Sequence, residues 1–513
     1  MGFSRIMSAT LHGLDVKLVQ VEADIRSGLP SFHMVGYLSA EVKEAEERVR
    51  TAILNSEMNL PPLKIVINLS PANIRKKGTL FDLSIALAIL VSLGIINEEK
   101  VQNTLVIGEL GLDGCVRKVN GVLSIVAKAK ECGCKVCIIP KDNYKEASII
   151  DGIRIIAIES LKDLCDVLKK ESGLFDSNLL NTENKMIENY EWNIDFKDIR
   201  GQRMAKRAAE IAVAGRHNML LLGPPGAGKS MIAKRIPTIL PTLTLEESIE
   251  ITKVYSIMGL LDENEPLLIK RPFREVHHTA TKAALVGGGG IPKPGEVSLA
   301  SKGVLFLDEL AEFKKDVLEV LRQPLEERNI KIVRSQGTFS FPADVMLVAA
   351  MNPCPCGYYP DLNRCTCTPY LIDKYLNKIS QPFLGRMDIC IEVPKLTYEE
   401  LNGEEGESSE EIRRRIMEAH LIQAERYKGK EFSFNAGLTA AELKKFCVLD
   451  EKCEYLMKQA FEMLGLSART CHRIIKVART IADLDKSENI SQRHLQEAIG
   501  YRMIDKKYWG GHR

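Results

Sequence analysis

The chain has 513 residues, and its 70 lysines and arginines nearly balance its 68 aspartates and glutamates, giving a formal net charge of +2. This balance argues neither for nor against a nucleic-acid partner, which only a local basic patch could indicate. No apolar run reaches the roughly 20 residues of a membrane span, and residues 1–10 lack the pattern of a secretory signal. The sequence therefore predicts no membrane association, and its thirteen cysteines are expected to be reduced thiols in a bacterial-type cytoplasm.

The length predicts about three domains, of which the first is assigned to residues 1–170. This part mixes short strand-like apolar runs with helical stretches, which is typical of an α+β or α/β domain. The predicted strands are 14–23, 64–69, 104–108 and 136–139, and the predicted helices are 39–55, 82–93 and 121–132.

Residues 171–194 are rich in Asn, Ser and Glu and are predicted to be an interdomain linker. After it, residues 195–396 alternate apolar strand-like runs with helical stretches, which predicts an α/β domain. Residues 397–513 are largely helical by pattern and include a charged amphipathic helix at 411–427. The predicted fold class is therefore α/β, with an α+β domain before the core and a helical domain after it.

The strongest motif stands early in the second domain, where a glycine-rich octapeptide follows the apolar run 219–222 and precedes a helical stretch. Glycines let backbone N–H groups turn inward around a polyphosphate, and the helix N-terminus adds partial positive charge there. The lysine can reach the β- and γ-phosphates of ATP, and the serine hydroxyl can bind Mg²⁺. The motif consists of Gly223, Pro224, Pro225, Gly226, Ala227, Gly228, Lys229 and Ser230.

A second apolar run, 304–307, ends in Asp308 and Glu309. An acidic pair at the end of a strand, in a chain that already holds a phosphate loop, indicates a nucleoside triphosphatase. Asp308 can hold Mg²⁺ through water, and Glu309 can act as the general base on the attacking water.

These motifs, together with the segment 198–202, resemble the AAA+ ATPases. The resemblance implies that Asn352, which follows the apolar run 345–350, orients the water near the γ-phosphate. The alternative is that Asn352 only shapes a turn before Pro353.

The same resemblance implies roles for two arginines. Arg386 would be an arginine finger that serves the nucleotide of a neighbouring subunit, or else an ordinary ion-pair partner of Asp388 or another nearby acid. Arg469, in the helical stretch 466–484, is the candidate for contacting the γ-phosphate, with Arg473 as the second choice. The alternative there is a solvated basic helix face.

Two β-rich insertions are predicted to interrupt the ATPase core. The first includes 274–281, with His277, His278 and Thr279, and the glycine run 287–290. The adjacent histidines are interpreted as structural or substrate-contacting, since no third metal ligand stands near them in the sequence.

The second insertion, 330–341, alternates around Ser335-Gln336-Gly337 and is predicted to be a β-hairpin. Hairpins at these two places mark the AAA+ branch that includes magnesium chelatase and the MCM helicases, and in the helicases they reach into the central pore. Lys331 and Arg334 are accordingly the candidate DNA contacts. The alternative is a hairpin that only packs against a neighbouring subunit.

Two C-x-C pairs form a separate cluster, which consists of Cys354, Cys356, Cys365 and Cys367. Four thiolates can close a tetrahedral Zn²⁺ site around a loop too polar and proline-rich to fold by itself. The C-x-C spacing is tighter than the usual one, and the alternative is four reduced surface cysteines.

The N-terminal domain resembles the Lon-protease-like domain, on the segments 108–110 and 138–143. Lon-type proteases use a Ser–Lys dyad, but the matching positions here hold Leu80 and Leu123, so neither nucleophile nor base is available. Ser84, one helical turn past Leu80, is more simply a packed hydroxyl bonded to its own backbone. The expected role of this domain is binding or assembly.

With these motifs, the chain resembles the magnesium-chelatase-like ComM/YifB family of AAA+ proteins. The resemblance implies a P-loop AAA+ core with an N-terminal Lon-protease-like domain and a C-terminal helical lid. It also implies an ATP-driven homo-hexameric motor on single-stranded or branched DNA, which performs branch migration when transforming DNA is recombined, with a recombinase as a partner.

Three other functions remain open at this point. The first is a chelatase-type ATPase that drives metal insertion into a porphyrin. The second is a Lon-like ATP-dependent protease, which Leu80 and Leu123 disfavour. The third is a non-enzymatic DNA-binding scaffold, which the intact Lys229, Asp308 and Glu309 disfavour.

Overall fold

A computed structural model describes residues 2–169, 192–262, 264–290, 292–334, 337–401, 403, 405–430 and 432–510. Apart from 192–194, the predicted linker 171–194 lies outside the described residues. By their internal contacts the residues divide into two compact units. The first takes residues from 1–188 together with Thr244–Ile269 and Val333–Ser340, and the second takes the remainder.

The strands belong to a mixed sheet in the first unit, a parallel sheet in the second unit and two short two-stranded ladders. They are β1 Phe3–His12, β2 Asp15–Arg26, β3 Ser31–Val35, β4 Lys64–Ser70, β5 Thr104–Val106, β6 Glu109–Leu110, β7 Val116–Arg117, β8 Val136–Pro140, β9 Arg154–Ile158, β10 Met219–Leu222, β11 Phe273–Val276, β12 Val304–Leu307, β13 Asn329–Arg334, β14 Gly337–Pro342, β15 Met346–Met351 and β16 Ile389–Glu392.

The α-helices range from single turns to long amphipathic helices. They are α1 Ala40–Lys43, α2 Ala45–Asn55, α3 Asp82–Ser92, α4 Val122–Glu131, α5 Tyr144–Ala147, α6 Leu161–Lys169, α7 Arg203–Gly215, α8 Lys229–Ile239, α9 Leu245–Met258, α10 Lys282–Val286, α11 Glu296–Leu299, α12 Lys315–Glu319, α13 Pro324–Glu327, α14 Pro369–Leu376, α15 Gln381–Leu384, α16 Tyr398–Leu401, α17 Ser409–Arg426, α18 Ala440–Phe446, α19 Glu451–Leu464, α20 Ala468–Leu484, α21 Gln492–Gly500 and α22 Met503–Trp509.

The first unit is built on a seven-stranded mixed sheet in the order β3-β4-β2-β1-β5-β8-β9. β1 and β2 form a long antiparallel hairpin in which Phe3 faces Asp24 and His12 faces Asp15. On the other side of β1, the strands β5, β8 and β9 run parallel to one another. α3, which is buried along its whole length, packs on β1 and β2 because its sequence is apolar on every face.

The strands and helices predicted for the first domain are confirmed as β2, β4, β5, β8, α3 and α4. The predicted helix 39–55 is divided at Glu44 into α1 and α2. The sequence analysis missed β1, β3 and β9. These strands complete the mixed sheet, so the core of this unit is larger than the prediction indicated.

A helix from later in the chain, α9, completes the first unit by packing on α4. The backbone N–H of Gly121 donates to the Ser256 carbonyl oxygen at 3.2 Å. The Ser256 hydroxyl donates to the buried carboxylate of Glu146, which also accepts the Leu123 backbone N–H at 2.9 Å. Although α9 lies between α8 and β11 in sequence, it belongs to the fold that surrounds Leu123.

The second unit is built on a five-stranded sheet in the order β11-β12-β15-β10-β16, and every neighbouring pair is parallel. β10 is central, with Met219 paired to Val348 of β15 on one side and to Ile389 of β16 on the other. Its side chains are fully buried because helices cover both faces of a parallel sheet. The carboxyl ends of β10, β12 and β15 therefore meet at one edge, where such sheets bind ligands.

The described residues of 397–510 contain helices and turns but no strand, so their helical character is confirmed. Among them, α20 packs on α7, α17 and α21. Among the described residues, no helix combines the length and the apolarity that crossing a membrane requires.

The prediction that the first insertion is β-rich is wrong for its described residues. Residues 273–276 form β11, the edge strand of the parallel sheet, and the residues after it form α10 and α11 with one isolated bridge between Gly288 and Lys293. Thr281 caps α10 by accepting the Ala284 N–H at 3.2 Å, and this cap favours a helix over a hairpin. The second insertion is confirmed as the β13–β14 hairpin, while Ser335 and Gln336 lie outside the described residues.

Candidate nucleotide site

The phosphate loop leaves the buried strand β10 and leads into α8, which begins at Lys229. Gly226 and Gly228 have φ of +74° and +92°, in the left-handed region that glycine adopts without a steric cost. A Cβ at Gly223 would lie 2.2 Å from the Val393 carbonyl oxygen. The conformation of this loop therefore requires glycine at these positions.

Lys229 is buried at the start of α8, with 8% of its surface exposed. Its Nζ donates to the carbonyl oxygens of Gly223 and Pro224 at 2.7 and 2.9 Å and to Oδ1 of Asn352 at 3.0 Å. Burial lowers the pKa of Lys229 to about 8, and the charge of Asp308 acts in the opposite direction. None of these hydrogen-bond partners carries a charge, so a phosphate oxygen would be a stronger partner for the ammonium group.

Ser230 and Asp308, the two predicted Mg²⁺ ligands, lie next to each other. The Ser230 hydroxyl donates to Oδ2 of Asp308 at 2.7 Å, across the gap between α8 and the end of β12. A hydroxyl and a carboxylate are the hard oxygen donors that Mg²⁺ prefers. The side chains present therefore fit a magnesium ion.

Glu309 adopts a left-handed backbone conformation with φ of +51°, which is uncommon for a residue with a side chain. Its carboxylate is 60% exposed, and Oε2 lies 3.3 Å from Nδ1 of His278. His278 follows β11, the strand beside β12, and its ring packs edge-on against Phe313. The carboxylate of Glu309, the predicted general base, is therefore largely exposed to solvent and contacts the imidazole of His278.

These side chains surround a cavity of about 370 Å³, whose lining includes Asp308, Glu309, Asn352 and the phosphate loop from Pro225 to Ser230. A second cavity, of about 1150 Å³, is lined by Gly201 and Gln202 of the segment 198–202, which resembles the AAA+ ATPases, and by other residues. Gln202 donates to the Ala227 carbonyl oxygen at 3.1 Å, so it connects the second cavity to the phosphate loop.

The four predicted zinc ligands come together in the loop after β15. Sγ of Cys354 lies 3.4 Å from Sγ of Cys356 and 3.7 Å from Sγ of Cys365, and the sulfurs of Cys356 and Cys365 are 3.5 Å apart. With Cys367, all the ligand atoms lie within 4.8 Å of one another. A tetrahedral Zn²⁺ with Zn–S bonds of about 2.3 Å separates its sulfurs by about 3.8 Å, so the cluster fits a metal ion.

Arg386 and Arg469 both pair with Glu326, on α13. Nη2 of Arg386 lies 3.1 Å from Oε1 of Glu326, and the Arg469 guanidinium contacts the same oxygen. Arg386 is 4% exposed, whereas the Arg469 side chain is 47% exposed. Arg473 pairs with Asp388 and donates to the Arg386 carbonyl oxygen at 2.8 Å. None of these arginines is among the residues that line the 370 Å³ cavity.

Three family descriptions match the chain in succession. "Subunit ChlI of Mg-chelatase" matches residues 21–143, "Magnesium chelatase, subunit ChlI" matches 195–401, and its C-terminal description matches 406–502. "Competence protein ComM" of Haemophilus influenzae is 41% identical over 506 residues, 98% of each chain. The "Uncharacterized protein YifB" of Escherichia coli is 40% identical over 508 residues, 99% of this chain and 98% of that protein.

The chain belongs to the magnesium-chelatase-like ComM/YifB family. The family is one of AAA+ ATPases, so ATP and Mg²⁺ are the ligands implied for the site around Lys229. The four cysteines of this chain are placed so that they can hold a metal ion.

The two candidate DNA contacts lie on the β13 strand of the hairpin. Lys331 and Arg334 are both exposed, as is Val333 between them. On β14, the buried Phe339 stacks on the His12 ring with centroids 4.2 Å apart. The hairpin thus carries exposed cations on β13 and a buried aromatic side chain, Phe339, on β14.

The positions of the Ser–Lys dyad are packed in the core of the first unit. Leu80 is 8% exposed and Leu123 is fully buried. The hydroxyl of Ser84 is also buried and donates to the Phe81 carbonyl oxygen at 2.8 Å, within its own helix. This geometry offers no serine nucleophile at these positions.

Sequence reasoning missed three residues that shape the site, namely Gln202, His278 as a partner of Glu309, and Glu326. Gln202 and His278 lie in the segments 198–202 and 274–281, but their partners are distant in sequence. Nothing local in the sequence identifies Glu326 as the shared partner of two arginines.

Proposed function

We propose that this protein hydrolyses ATP at the site around Lys229 and uses the energy to move DNA. The observation that carries the proposal is the placement of a buried ammonium, a hydroxyl–carboxylate pair and an exposed carboxylate around one cavity. ATP, when bound, supplies a phosphoanhydride bond to be hydrolysed.

Each residue then has one task. With nucleotide bound, Lys229 would exchange its carbonyl partners for phosphate oxygens, and Ser230 and Asp308 are the residues that would hold Mg²⁺. Glu309 accepts a proton from the attacking water at its carboxylate, and Asn352 orients that water.

DNA is the proposed substrate of the motor. Two features support it: the name of the relative "Competence protein ComM" and the exposed cations Lys331 and Arg334. Contacts to phosphate carry no sequence information, which suits a motor that moves through any sequence. Within this proposal the activity is branch migration during recombination of transforming DNA, in the cytoplasm and alongside a recombinase.

The proposed assembly is a homo-hexamer. In it, Arg386 serves the nucleotide of the neighbouring subunit, and Arg469 contacts the γ-phosphate from the helical lid. A ring would repeat Lys331 and Arg334 around one pore, which explains how a chain of net charge +2 could hold DNA.

Zinc is the proposed ion of the four-cysteine site. Metal analysis of the purified protein should give about one zinc per subunit. Folded protein with no metal and four freely titratable thiols at these positions would contradict the assignment.

The test of the DNA motor compares ATPase rates with single-stranded, duplex and four-way-junction DNA. We expect DNA to stimulate hydrolysis and the protein to move a junction. Replacing Lys331 and Arg334 together by Ala should keep the basal ATPase but abolish stimulation and movement, and it should lower the salt slope of DNA binding by about 0.9 per lost phosphate contact.

The matched control replaces Lys444 and Lys445, two exposed lysines of α18, by Ala and removes the same charge elsewhere. If this control variant loses DNA stimulation to the same extent, the hairpin has no special role. If the hairpin variant instead fails to assemble, the hairpin packs against a neighbouring subunit.

A second candidate function is metal insertion into a porphyrin, which the three magnesium-chelatase descriptions favour. It predicts ATPase turnover that responds to a porphyrin and not to DNA. Absence of a DNA complex in a gel shift at low salt with ATP would rule out the motor and favour this function.

A further inference from the structure

The four-cysteine loop begins directly beside the nucleotide site. Asn352, whose Oδ1 accepts from Nζ of Lys229, stands two residues before Cys354. Cys354 is fully buried, and its sulfur accepts the backbone N–H of Tyr359 at 3.4 Å. A single residue, Pro353, therefore separates Asn352 from the first of the four cysteines.

The same loop also packs on the phosphate loop itself. Gly357 has φ of +83°, and a Cβ built on it would lie 2.5 Å from Cδ of Pro225. Cδ is part of a ring fixed to the backbone, so it cannot move aside as the end of a flexible side chain could. Gly357 N–H donates to the Cys354 carbonyl oxygen at 3.0 Å, which fixes the glycine to the buried cysteine.

Pro225 lines the 370 Å³ cavity, so the cysteine loop supports one wall of the phosphate site from behind. Short proline-rich loops of this kind gain most of their folding free energy from the metal that their thiolates bind. Without that ion, four sulfurs that all lie within 4.8 Å of one another would have little to hold them together.

We propose that metal occupancy of the four-cysteine site sets the affinity of the phosphate loop for nucleotide, through the packing of Gly357 on Pro225. The inference rests on the proposed nucleotide site. With the metal bound, the loop holds Pro225 and Asn352 in place around Lys229. With the metal removed, both supports loosen, and nucleotide binding weakens before any hydrolysis takes place.

The first experiment measures the Kd for ATP by calorimetry, on the full chain with zinc and after removal of zinc by a chelator. We expect binding to weaken at least about tenfold on removal and to recover on adding Zn²⁺. Circular dichroism shows whether the depleted chain stays folded. An unchanged Kd in folded, metal-free protein would overturn the proposal.

The second experiment leaves the metal in place and breaks only the packing. Gly357→Ala should weaken ATP binding while the zinc content stays at the wild-type level. The matched control is Gly429→Ala, at a glycine with φ of +80° where a Cβ meets nothing within 4 Å. Both variants carry the same backbone strain, so equal Kd values in the two would overturn the proposed contact.

The two levels of inference fail in different ways. If the zinc-loaded wild-type chain binds no ATP, the nucleotide site itself is wrong and this inference falls with it. If the wild-type chain binds ATP but takes up no Zn²⁺ when the ion is supplied, the nucleotide site stands and the proposed control by the metal is overturned.

Discussion

Two clusters of charged side chains in the second unit, one around Lys229 and one around Glu326, differ in how their charges are paired. Around Lys229, the ammonium group contacts only neutral oxygens, and Ser230 and Asp308 already lie together. Around Glu326, by contrast, the cations Arg386 and Arg469 are paired with a carboxylate of their own chain.

In the proposed homo-hexamer, the difference indicates which part of the site one subunit can supply. The residues that would hold the phosphates and Mg²⁺ come together within a single chain. In the arginine half, Arg386 and Arg469 share the single carboxylate of Glu326, and a guanidinium already paired with a carboxylate interacts less strongly with a phosphoryl group. We infer that assembly, nucleotide binding or both must release these arginines before they can act.

The largest expected effect is that of Arg386→Ala. Arginine fingers contribute about 10³–10⁵ in rate, so this variant should be nearly inactive as an ATPase. Mixing it with Lys229→Ala subunits should restore part of the activity, because one complete interface can form. The mixed hexamers are checked by native mass spectrometry, and an absence of recovery in them would mean that Arg386 acts within its own subunit or supports the fold.

The next effect is that of Glu309→Gln, which preserves shape but removes the base. Turnover should fall by about 10²–10⁴, while the Kd for ATP stays at the wild-type value. Lys229→Ala should show the opposite pattern, with weakened binding, because it removes a phosphate contact. Near-normal hydrolysis by Glu309→Gln would remove Glu309 from the mechanism.

The sequence predicts the first cluster far better than the second, for a physical reason. The phosphate loop, the strand that ends in Asp308 and the paired cysteines are local patterns, set by spacing along a few residues. The pairing of Arg386 with Glu326 joins residues 60 positions apart (386 minus 326), and no periodicity encodes it.

The fold, too, is predictable from the sequence only where local patterns determine it. The strands β2 and β4 are long and alternate clearly, so their pattern identifies them. The membership of α9 in the first unit depends on contacts such as that of Ser256 with Glu146, which join distant parts of the chain. The prediction of a β-rich first insertion is wrong because the Thr281 side chain caps the helix α10 there.

A smaller effect is expected for His278→Ala. The 3.3 Å contact of His278 with Glu309 restrains an otherwise exposed carboxylate, and misplacing a reacting group can cost about 10- to 100-fold in rate. The variant should therefore lose kcat with little change in KM, and His278→Gln should restore part of it.

The matched control for His278 is Lys282→Ala, in the same insertion. It breaks the exposed ion pair of Lys282 with Asp316 and leaves the surroundings of Glu309 unchanged. The decisive measurement is made in the Glu309→Gln background, where His278→Ala should have no further effect. An additive loss in that double variant would show that His278 acts by another route.

The smallest effect concerns Glu326→Gln, which tests whether the shared carboxylate restrains the two arginines. The substitution keeps the side-chain shape and removes the charge, and the pair is partly exposed, so about 0.2–1 kcal/mol is at stake. If the ion pairs with Glu326 keep the two arginines from acting, the variant should assemble at a protein concentration up to about fivefold lower than the wild type, as measured by sedimentation. Its basal ATPase rate should rise by a similar factor. Glu327→Gln, on the same helix α13, is the control because Glu327 contacts neither arginine in the described structure. A variant that assembles less well and melts earlier would show instead that Glu326 only supports the fold around Arg386.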